Sequence, residues 1–569
     1  MKSTKIDIFF EIKNVKNDIF FDFFIVGNAI MKMFASPIGL YISCNSQKIS
    51  IRLWNSGLKS RKNYDFRGLD TNFLATLLVL LQFMIFVLEK NMKILFKLCW
   101  KNMKLLLKYY WKNMKNAKVG ATMFERKIYS EFKKWKESNK IKKRALIIKG
   151  LRQIGKTTIV LKYAKENYDN IIYMNFMDNV SLKKIFEDDL DINNLIIRIS
   201  SSFSNKKLIP NKTVIIFDEL QECARARTSI KSFMIDGRFD VIGTGSLLGL
   251  RGYNKKQQEG IPTGFEYIIN MYPMDFEEFL LARGINSEII EYLKKCYLNK
   301  EKIDDTVNTN ISKYFKEYLC VGGMPDAVNT FLTTFDMNQV HDVLKNILEQ
   351  FKDDFGKHLD TNENAKVNKT YLRKILEVYN SIPNQLAKEN KKFQYKLISS
   401  KANSRDYREA ITWLEEFGLI KLCYNLKSLK LPLSAYRCED IFKMYVVDSG
   451  LFVAMLDDGS VYDIINDNLK IYNGAIYENI IAESFSKNDI NLYYFNKNSE
   501  TEIDFVSKIN NELTLIEVKA NNGNTKSLKD ILSKKYIYRV DNAIKLINGN
   551  IGYKNGIYTI PHYLAYLIK

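Results

Sequence analysis

Residues 150–157, with the sequence GLRQIGKT, have the residue types and spacing of a phosphate-binding loop, G-x-x-x-x-G-K-[ST]. Glycines allow backbone N–H groups to close around phosphate oxygens, and the start of a following helix adds a partial positive charge. The lysine of this pattern reaches the β- and γ-phosphates, and the next hydroxyl binds Mg²⁺. The residues expected to bind a nucleotide are Gly150, Leu151, Arg152, Gln153, Ile154, Gly155, Lys156, Thr157 and Thr158.

A second motif, VIIFDE at residues 214–219, consists of four apolar residues followed by two acids. Buried parallel strands have such apolar runs, and ligands bind at their carboxyl ends. We expect Asp218 to hold Mg²⁺ and Glu219 to be the base that orients the attacking water. An acidic first turn of a helix would need the same two residues. The upstream phosphate-binding loop favours the catalytic interpretation.

A third run, DVIGTGS at residues 240–246, ends in hydroxyl groups. Thr244 or Ser246 is suited to contact a γ-phosphate, but a turn at the end of a strand needs the same residues, so both interpretations stay open. Together with Lys156, Asp218 and Glu219, these two residues complete the predicted catalytic set. The predicted ligands are ATP and Mg²⁺.

These motifs require a sheet that brings several strand ends together. Residues 145–148 predict a buried strand before the loop, and residues 157–166 predict a helix after it. A chain of 569 residues is too long for one hydrophobic core. The predicted domains are an atypical extension at 1–122, an α/β parallel-sheet ATPase core at 123–270, a helical lid at 271–365, a winged helix at 366–456 and a nuclease-like α/β domain at 457–569.

Four residues near the C-terminal end form a second pattern. Glu478 lies on a predicted helix, Asp504 on a predicted strand, and Glu517 and Lys519 on the next strand. Residues two apart on a strand share a face, so Glu517 and Lys519 point the same way. This spacing is typical of a restriction-endonuclease-type site, where acids bind Mg²⁺ and the lysine stabilises charge on phosphate or water. A solvated strand face is the alternative, and the apolar flanks favour the site.

The segment 366–456 has the element order of a winged helix. Its predicted helices and strands are 370–380, 395–399, 404–416, 419–424 and 443–447. Lys401, Arg405 and Arg408 lie near the start of the third helix, where winged helices contact DNA phosphates. Glutamates on the same helix reduce its basicity, and winged helices also bind proteins, so a protein contact is the alternative.

The formal net charge of +22 is concentrated near the N-terminal end. Residues 1–122 contain 20 Lys/Arg and 7 Asp/Glu, which leaves a net charge of only +9 for residues 123–569. The charge is therefore a weak indication of a nucleic-acid partner. Seven scattered cysteines without a C-x-x-C pair predict a reducing, cytoplasmic location without disulfides or structural zinc. Three histidines argue against histidine-based metal chemistry.

The first 122 residues differ from the rest of the chain. Residues 73–88 form a 16-residue run without charge, short of the ~18–20 residues that span a bilayer, so a membrane partner is not expected. The sequence KNMK recurs at positions 90, 101 and 112, and this period predicts a basic amphipathic helix. A membrane-surface or nucleic-acid-binding helix is one interpretation. We favour translated repetitive DNA upstream of a start at Met123.

Residues 123–569 resemble the bacterial and archaeal AAA-type ATPases that carry a C-terminal domain of uncharacterised function. The matching stretches are GLRQIGKT, VIIFDE, VIGTGSLLG, MYPMDFEEFL, VGGMP, YVVDSGL, YENIIAE, EIDF and IEVKA. The resemblance implies a P-loop ATPase core, a helical lid, a winged helix and a restriction-endonuclease-like C-terminal fold, without a known substrate. Arg238 and Arg251 are candidate arginine fingers, and assembly into a homo-oligomer is left open.

Two functions are consistent with this layout. In the first, the nucleotide state controls a winged-helix and nuclease-like module that acts on DNA or RNA, and the retained acids and Lys519 favour this function. In the second, ATP controls the binding of a protein partner, and the nuclease-like domain is an inactive scaffold. The modest charge of residues 123–569 and the acidic third helix favour the second function.

Overall fold

The chain divides, in a computed structural model, into two compact units, Met1–Gly120 and Ala121–Lys569. The structure describes six strands between residues 6 and 66. From residue 124 onward it describes every residue except 247–261, 358–364, 389–390, 457–458, 467, 469–472, 499–500, 521–522, 524 and 541. The apolar run at 73–88, the KNMK repeat, Met123 and Arg251 lie outside the described residues.

The described part of the first unit consists of β-strands, which were not expected from the sequence. Strands β1 and β2 form an antiparallel pair, and β3 to β6 form a four-stranded antiparallel sheet in chain order. The strands are β1 (Ile6–Val15), β2 (Asp18–Gly27), β3 (Ile30–Ala35), β4 (Ile38–Asn45), β5 (Lys48–Asn55) and β6 (Ser60–Phe66). Several of them are rich in isoleucine and phenylalanine, which favour strands.

The second unit begins with a sheet of five parallel strands, in the order β11-β7-β10-β9-β8. These strands are β7 (Ala145–Lys149), β8 (Asn170–Asn175), β9 (Thr213–Asp218), β10 (Asp240–Gly245) and β11 (Glu266–Asn270). The predicted parallel α/β core is thus confirmed. Since β10 lies between β7 and β9, their carboxyl ends bring the phosphate-binding loop, Asp218 and Thr244 together.

Helices surround this sheet and then form the segment predicted as a lid. The described α-helices are α1 (Ile128–Ser138), α2 (Lys156–Asn167), α3 (Ile192–Ser202), α4 (Ala224–Asp236), α5 (Phe276–Ala282), α6 (Ser287–Asn299), α7 (Asp305–Val321), α8 (Pro325–Thr334), α9 (Met337–Lys357), α10 (Ala365–Ala387), α11 (Ser404–Phe417), α12 (Ser449–Ala454), α13 (Ser460–Ile465), α14 (Asn473–Lys487), α15 (Lys526–Ser533) and α16 (Lys535–Tyr538). Helix α5 begins with a capping box that Asp275 and Glu278 form.

The two strands predicted as a wing belong to a larger sheet. β12 (Ile420–Leu426) and β13 (Arg437–Val446) form an antiparallel hairpin, and β12 also pairs in parallel with β14 (Tyr493–Asn498). The complete sheet has eight strands in the order β13-β12-β14-β15-β16-β17-β19-β18. Its other strands are β15 (Thr501–Ile509), β16 (Glu512–Lys519), β17 (Asn542–Ile547), β18 (Gly552–Lys554) and β19 (Ile557–Pro561). The sheet therefore crosses the predicted boundary at residue 456.

One cluster of buried hydrophobic side chains extends through the second unit from Phe132 to Ile568. It includes Leu146 of β7, Val321 of α7 and Ile481 of α14. The nucleotide core, the helical segment and the C-terminal sheet are therefore joined by continuous packing.

Three of the unassigned sequence stretches, MYPMD, VGGMP and YVVDSGL, meet at one buried point. A Cβ atom on Gly323 would overlap the backbone oxygen of Met274, and a Cβ atom on Gly450 would overlap that of Val321. The Asp448 carboxylate accepts a 2.6 Å hydrogen bond from the Gly323 N–H and also caps α12. Only glycine permits backbones to approach this closely. The contact fixes the residues that lead into α8.

A buried ion pair within α14 lies beside this point and is hydrogen-bonded to Tyr318 of α7. The Glu483 carboxylate accepts a 2.8 Å hydrogen bond from the Tyr318 hydroxyl and lies 2.5 Å from the Lys487 ammonium. Lys487 also donates to the Met274 carbonyl at 2.8 Å. Burial raises the pKa of Glu483 to about 7, against the opposing effect of Lys487.

No helix in the described ranges is long and apolar enough to cross a membrane. In the part of the second unit that the structure describes, Cys223, Cys296, Cys320, Cys423 and Cys438 are free thiols.

Replacing Gly323 with alanine should destabilise the second unit, because the added methyl group would overlap backbone atoms of Met274. Overpacking of this kind costs about 1–3 kcal/mol or more. Calorimetry of the full chain should therefore show a thermal midpoint several degrees below that of the wild type. Gly552→Ala is the matched control, because a Cβ atom there meets nothing within 4 Å. Equal midpoints for the two variants would contradict the close contact.

Glu483 should make the stability depend on pH. Its pKa is raised from 4.5 to about 7, so the folded chain binds this proton more tightly than the unfolded chain. The stability contribution of the protonated group is complete below pH 4.5 and is lost as the pH rises through about 7. In Glu483→Gln the thermal midpoint should fall less over this range, whereas Glu137→Gln, at a side chain that is 69% exposed, should behave as wild type. Parallel curves for wild type and Glu483→Gln would refute the assignment.

Candidate functional site

The phosphate-binding loop connects β7 to α2 in the predicted strand–loop–helix order. A Cβ atom on Gly150 would overlap the backbone oxygen of Met271, and Gly155 has a φ of 89°, which favours glycine. The two glycines of the motif are therefore required by the shape of the loop. Arg126 supports this shape from outside, because its guanidinium donates to the carbonyls of Ile154 at 2.9 Å and Tyr272 at 2.6 Å.

Lys156 lies inside the loop. Its ammonium donates to the carbonyls of Gly150 at 3.0 Å and Leu151 at 2.8 Å, and the residue is only 6% exposed. Burial lowers the pKa of Lys156 to about 8, although Glu219 and Asp218 oppose the shift. The ammonium is thus held where a phosphate would meet it.

The Asp218 carboxylate is the centre of a group of hydroxyls. The Thr157 hydroxyl lies 3.1 Å from both carboxylate oxygens, the Thr244 hydroxyl donates to one of them, and the Tyr173 hydroxyl donates to the other at 2.6 Å. Asn175, the register partner of Asp218 on β8, contributes an amide at 3.4 Å. Tyr173 and Asn175 were not predicted. Their only sequence signal is their shared face on the strand that follows α2.

Thr157 and Asp218 have the right chemistry for Mg²⁺. A hydroxyl and a carboxylate are hard oxygen ligands, and Mg²⁺ in nucleotide sites is held by one or two such groups together with substrate phosphates. The two side chains meet at the edge of the loop. They fit the predicted metal.

Thr244 and Ser246 have different hydrogen-bond partners in the structure. Thr244 contacts Asp218, whereas the Ser246 hydroxyl accepts a 3.3 Å hydrogen bond from Arg152. Arg152 also forms an ion pair with the buried carboxylate of Asp354 on α9. The loop is therefore connected directly to the helical segment.

A cavity of about 310 Å³ opens beside the loop, within the range of small-ligand sites. Of the predicted residues, it is lined by Arg152, Gln153, Gly155, Lys156, Thr157, Thr158 and Glu219. The Glu219 side chain is held by the Gln221 amide. The cavity is also lined by Phe124, Arg126, Pro325, Asp326 and Asn329, which were not predicted to bind a nucleotide. Pro325 belongs to the stretch VGGMP, but the sequence gave no indication that this residue lies beside the phosphate-binding loop.

The four predicted residues of the C-terminal pattern come together. The Lys519 ammonium lies 2.8 Å from Glu517 Oε1 and 3.9 Å from Asp504 Oδ2. Asp504 also accepts a 2.8 Å hydrogen bond from the Val518 N–H. Glu478, on α14, is coupled electrostatically to Asp504.

Two lysines that were not predicted reach the same place. Lys391 Nζ lies 2.8 Å from Glu478 Oε1, and Lys443 Nζ lies 3.5 Å from Glu478 Oε2 and 2.8 Å from Glu502 Oε1. The Tyr445 hydroxyl donates to Glu478 Oε2 at 2.8 Å. We call Lys391, Lys443, Glu478, Glu502, Asp504, Glu517 and Lys519 the acid–lysine cluster.

The charges in the acid–lysine cluster shift its pKa values in opposite directions. Burial alone would raise the pKa of Glu478, but Lys443 and Lys391 lower it to about 2. Burial and the charge of Glu478 raise the pKa of Asp504 to about 7, against the effect of Lys443 and Lys519. One member thus stays ionised while another holds a proton near neutral pH.

The acid–lysine cluster fits Mg²⁺ poorly. Glu478 Oε1 accepts from Lys391 and Glu478 Oε2 accepts from Tyr445. Glu517 Oε1 is paired with Lys519, and of these oxygens only the buried Glu517 Oε2 has no hydrogen-bond partner among the described residues. Over the described residues, no group of three or more His, Cys, Asp or Glu side chains is arranged to hold a metal ion.

Arg408, one of the three basic side chains expected to contact DNA, is already paired with acidic residues. The Arg408 guanidinium lies 2.8 Å from Asp440 and 3.5 Å from Glu439, both on β13. Arg238, a candidate arginine finger, lies 2.8 Å from Asp236.

The parallel sheet, the loop around Lys156 and the Thr157–Asp218 contact define a P-loop nucleotide-binding domain. Residues 142–280 match the family described as AAA domain, and this match supports ATP binding and hydrolysis by an AAA-type ATPase. Residues 312–461 and 473–563 match two families described as domains of unknown function, DUF8612 and DUF4143.

Many solved chains, 92 in number, are similar to this one. A Walker-type ATPase of Pyrococcus abyssi is 12% identical over 58% of this chain and 96% of its own, with a TM-score of 0.34. The RuvB Holliday junction branch migration motor of Thermotoga maritima is 13% identical over 52% of this chain and 89% of its own, with a TM-score of 0.25. The ORC2 protein of Aeropyrum pernix in its ADP form is 10% identical over 62% and 96%, with a TM-score of 0.26. No curated protein matches the chain significantly.

Proposed function

We propose that the cavity beside Lys156 binds ATP with Mg²⁺ and hydrolyses it, and that the nucleotide state is passed to the C-terminal half. The observation that carries the proposal is the meeting of Lys156, Thr157, Asp218 and Glu219 at the carboxyl edge of one parallel sheet.

Binding begins with the loop. Its backbone N–H groups and the first turn of α2 surround the phosphates of ATP. The Lys156 ammonium exchanges its two carbonyl acceptors for phosphate oxygens, which form stronger, charge-assisted hydrogen bonds.

Thr157 and Asp218 would hold Mg²⁺, which neutralises charge on the transferred phosphoryl group when it is bound. Thr244, Tyr173 and Asn175 orient the Asp218 carboxylate toward the cavity edge. Of the two hydroxyl residues, Thr244 is thus the one that we assign to the γ-phosphate contact. Ser246 instead positions Arg152.

Glu219 acts as the base that orients the attacking water. Its φ of 53° turns it out of the strand, and the Gln221 amide holds its carboxylate at the wall of the cavity. A carboxylate so placed can accept the proton that water loses during attack on the γ-phosphate.

The helical segment contacts the bound nucleotide through α8. Pro325, Asp326 and Asn329 line the cavity, and the residues just before them are fixed to Met274 and Asp448. A change at the phosphates therefore reaches the C-terminal half by a short route of packed backbone.

A protein partner is favoured as the target of this switch over DNA or RNA. Arg408 is engaged by acids of β13, and the acids of the C-terminal pattern are engaged by lysines. Action on nucleic acid is the alternative that the experiments below distinguish.

Lys156→Ala should lose nucleotide binding, because the phosphate-binding loop then has no ammonium group for the β- and γ-phosphates. Glu219→Gln should keep binding but lower the hydrolysis rate by about 10²–10⁴-fold, the usual contribution of a general base. Titration with a fluorescent ATP analogue and a phosphate-release assay measure the two effects. Glu222→Gln, outside the cavity lining, is the matched control. A Glu219→Gln variant with normal turnover would remove Glu219 from the mechanism.

The rate of ATP hydrolysis by the full chain should not change when duplex DNA or single-stranded RNA is added, if the target is a protein. The measurement is phosphate release at a fixed ATP concentration and low salt, where nucleic-acid binding is strongest. Arg405→Ala serves as a control, since it removes an exposed cation from α11. Stimulation by DNA that Arg405→Ala reduces would favour the nucleic-acid alternative.

A further inference from the structure

We infer that internal lysines, above all Lys443, occupy the place of a divalent cation in the acid–lysine cluster, so that the C-terminal domain is held by an ion-pair core instead of a metal site. This inference goes beyond ATP hydrolysis and does not depend on it.

The fold makes Lys443 part of the C-terminal domain. The last five residues of β13 are all buried, and the Lys443 side chain is 1% exposed. In the sheet, β12 separates β13 from β14. The Lys443 side chain on β13 nevertheless extends to β14, where its nitrogen lies 4.9 Å from the centre of the Tyr494 ring. A buried ammonium requires anionic partners, and Glu478 and Glu502 provide them.

Lys391 completes the neutralisation from another element. It follows α10 and lies 2.8 Å from the Glu478 oxygen that Lys443 does not contact. With the Tyr445 hydroxyl, both oxygens of Glu478 are therefore satisfied within the chain. A metal ion at this position would have to share the Glu478 oxygens with these donors and lie close to two ammonium groups.

The charges balance without a metal ion. The acid–lysine cluster contains four carboxylates and three ammonium groups, so a single proton makes it neutral. The raised pKa of Asp504, about 7, is consistent with that proton. A divalent cation would instead leave an excess positive charge in a buried site, which is costly.

The ion pairs also connect two parts of the chain. Lys391 and Lys443 come from residues 366–456, whereas Glu478 and Glu502 come from residues 457–569. The cluster therefore stabilises the junction between the hairpin and the C-terminal domain.

The test is Mn²⁺ binding to the full, nucleotide-free chain, measured by calorimetry. The number of bound Mn²⁺ ions should be the same in wild type and in Asp504→Asn, because the acid–lysine cluster takes no metal. Asp218→Asn is the control that reports any binding at the phosphate-binding loop. One Mn²⁺ ion that is lost in Asp504→Asn and retained in Asp218→Asn would overturn the inference. This comparison uses no variant of the buried lysine and no ATP hydrolysis, so it is independent of the proposed function.

A second measurement removes the internal cation. Lys443→Met should lower the thermal midpoint and bind one Mn²⁺ ion more than the wild type, because Glu502 loses the ammonium it is paired with and Glu478 keeps only Lys391. The double variant Lys443→Met/Glu502→Gln should recover part of the lost midpoint, since it removes the carboxylate that has lost its ammonium partner. A Lys443→Met chain with unchanged midpoint and unchanged Mn²⁺ binding would also overturn the inference. Where this variant fails to fold, the wild-type comparison decides alone.

Discussion

The backbone contact between Gly323 and Met274 is the constraint on which the arrangement of the second unit depends. Met274 follows β11, the neighbour of the strand that carries the phosphate-binding loop, and Gly323 precedes the helix that lines the cavity. Asp448 fastens the same point to the C-terminal half. Since packed backbone deforms little, movement of α8 must be matched by movement of Asp448. The helix that lines the cavity and the C-terminal half are therefore joined by packed backbone and a buried hydrogen bond.

The two groups of buried acids show how neighbours decide what a carboxylate can bind. Asp218 is surrounded by neutral hydroxyl and amide groups, so its negative charge is left for a cation. Glu478 is surrounded by ammonium groups, so its charge is already compensated. The residue types alone do not distinguish these environments. Only the elements that meet around each acid do so.

The local patterns of the sequence predicted the nucleotide core well. The loop, the apolar runs of β7, β9 and β10, and the helix after the loop are all set by neighbouring residues. Tyr173, Arg126 and Pro325 were missed because each reaches the site across a long stretch of chain. The geometry is consistent with the roles predicted for individual residues, and these roles stay predictions.

The hairpin of β12 and β13 shows most clearly what local sequence patterns could not predict. Its residues have the alternation and turn of any antiparallel pair, so a winged-helix wing was a reasonable expectation from local pattern. Which sheet the hairpin joins depends on β14, almost seventy residues later along the chain. Lys443 was missed as a partner of Glu478 for a similar reason, since the two residues lie 35 positions apart in the chain.

The position of this hairpin at the edge of the eight-stranded sheet has a consequence for synthesis on the ribosome. β12 and β13 leave the exit tunnel before α14, β14 and β15 do, because they come earlier in the chain. During that interval one edge of β12 has no partner strand, and Lys443 lacks both of its acids. Unpaired edges invite association with other chains. The nascent chain therefore passes through a vulnerable stage that ends only when Glu502 emerges and the sheet closes around the lysine.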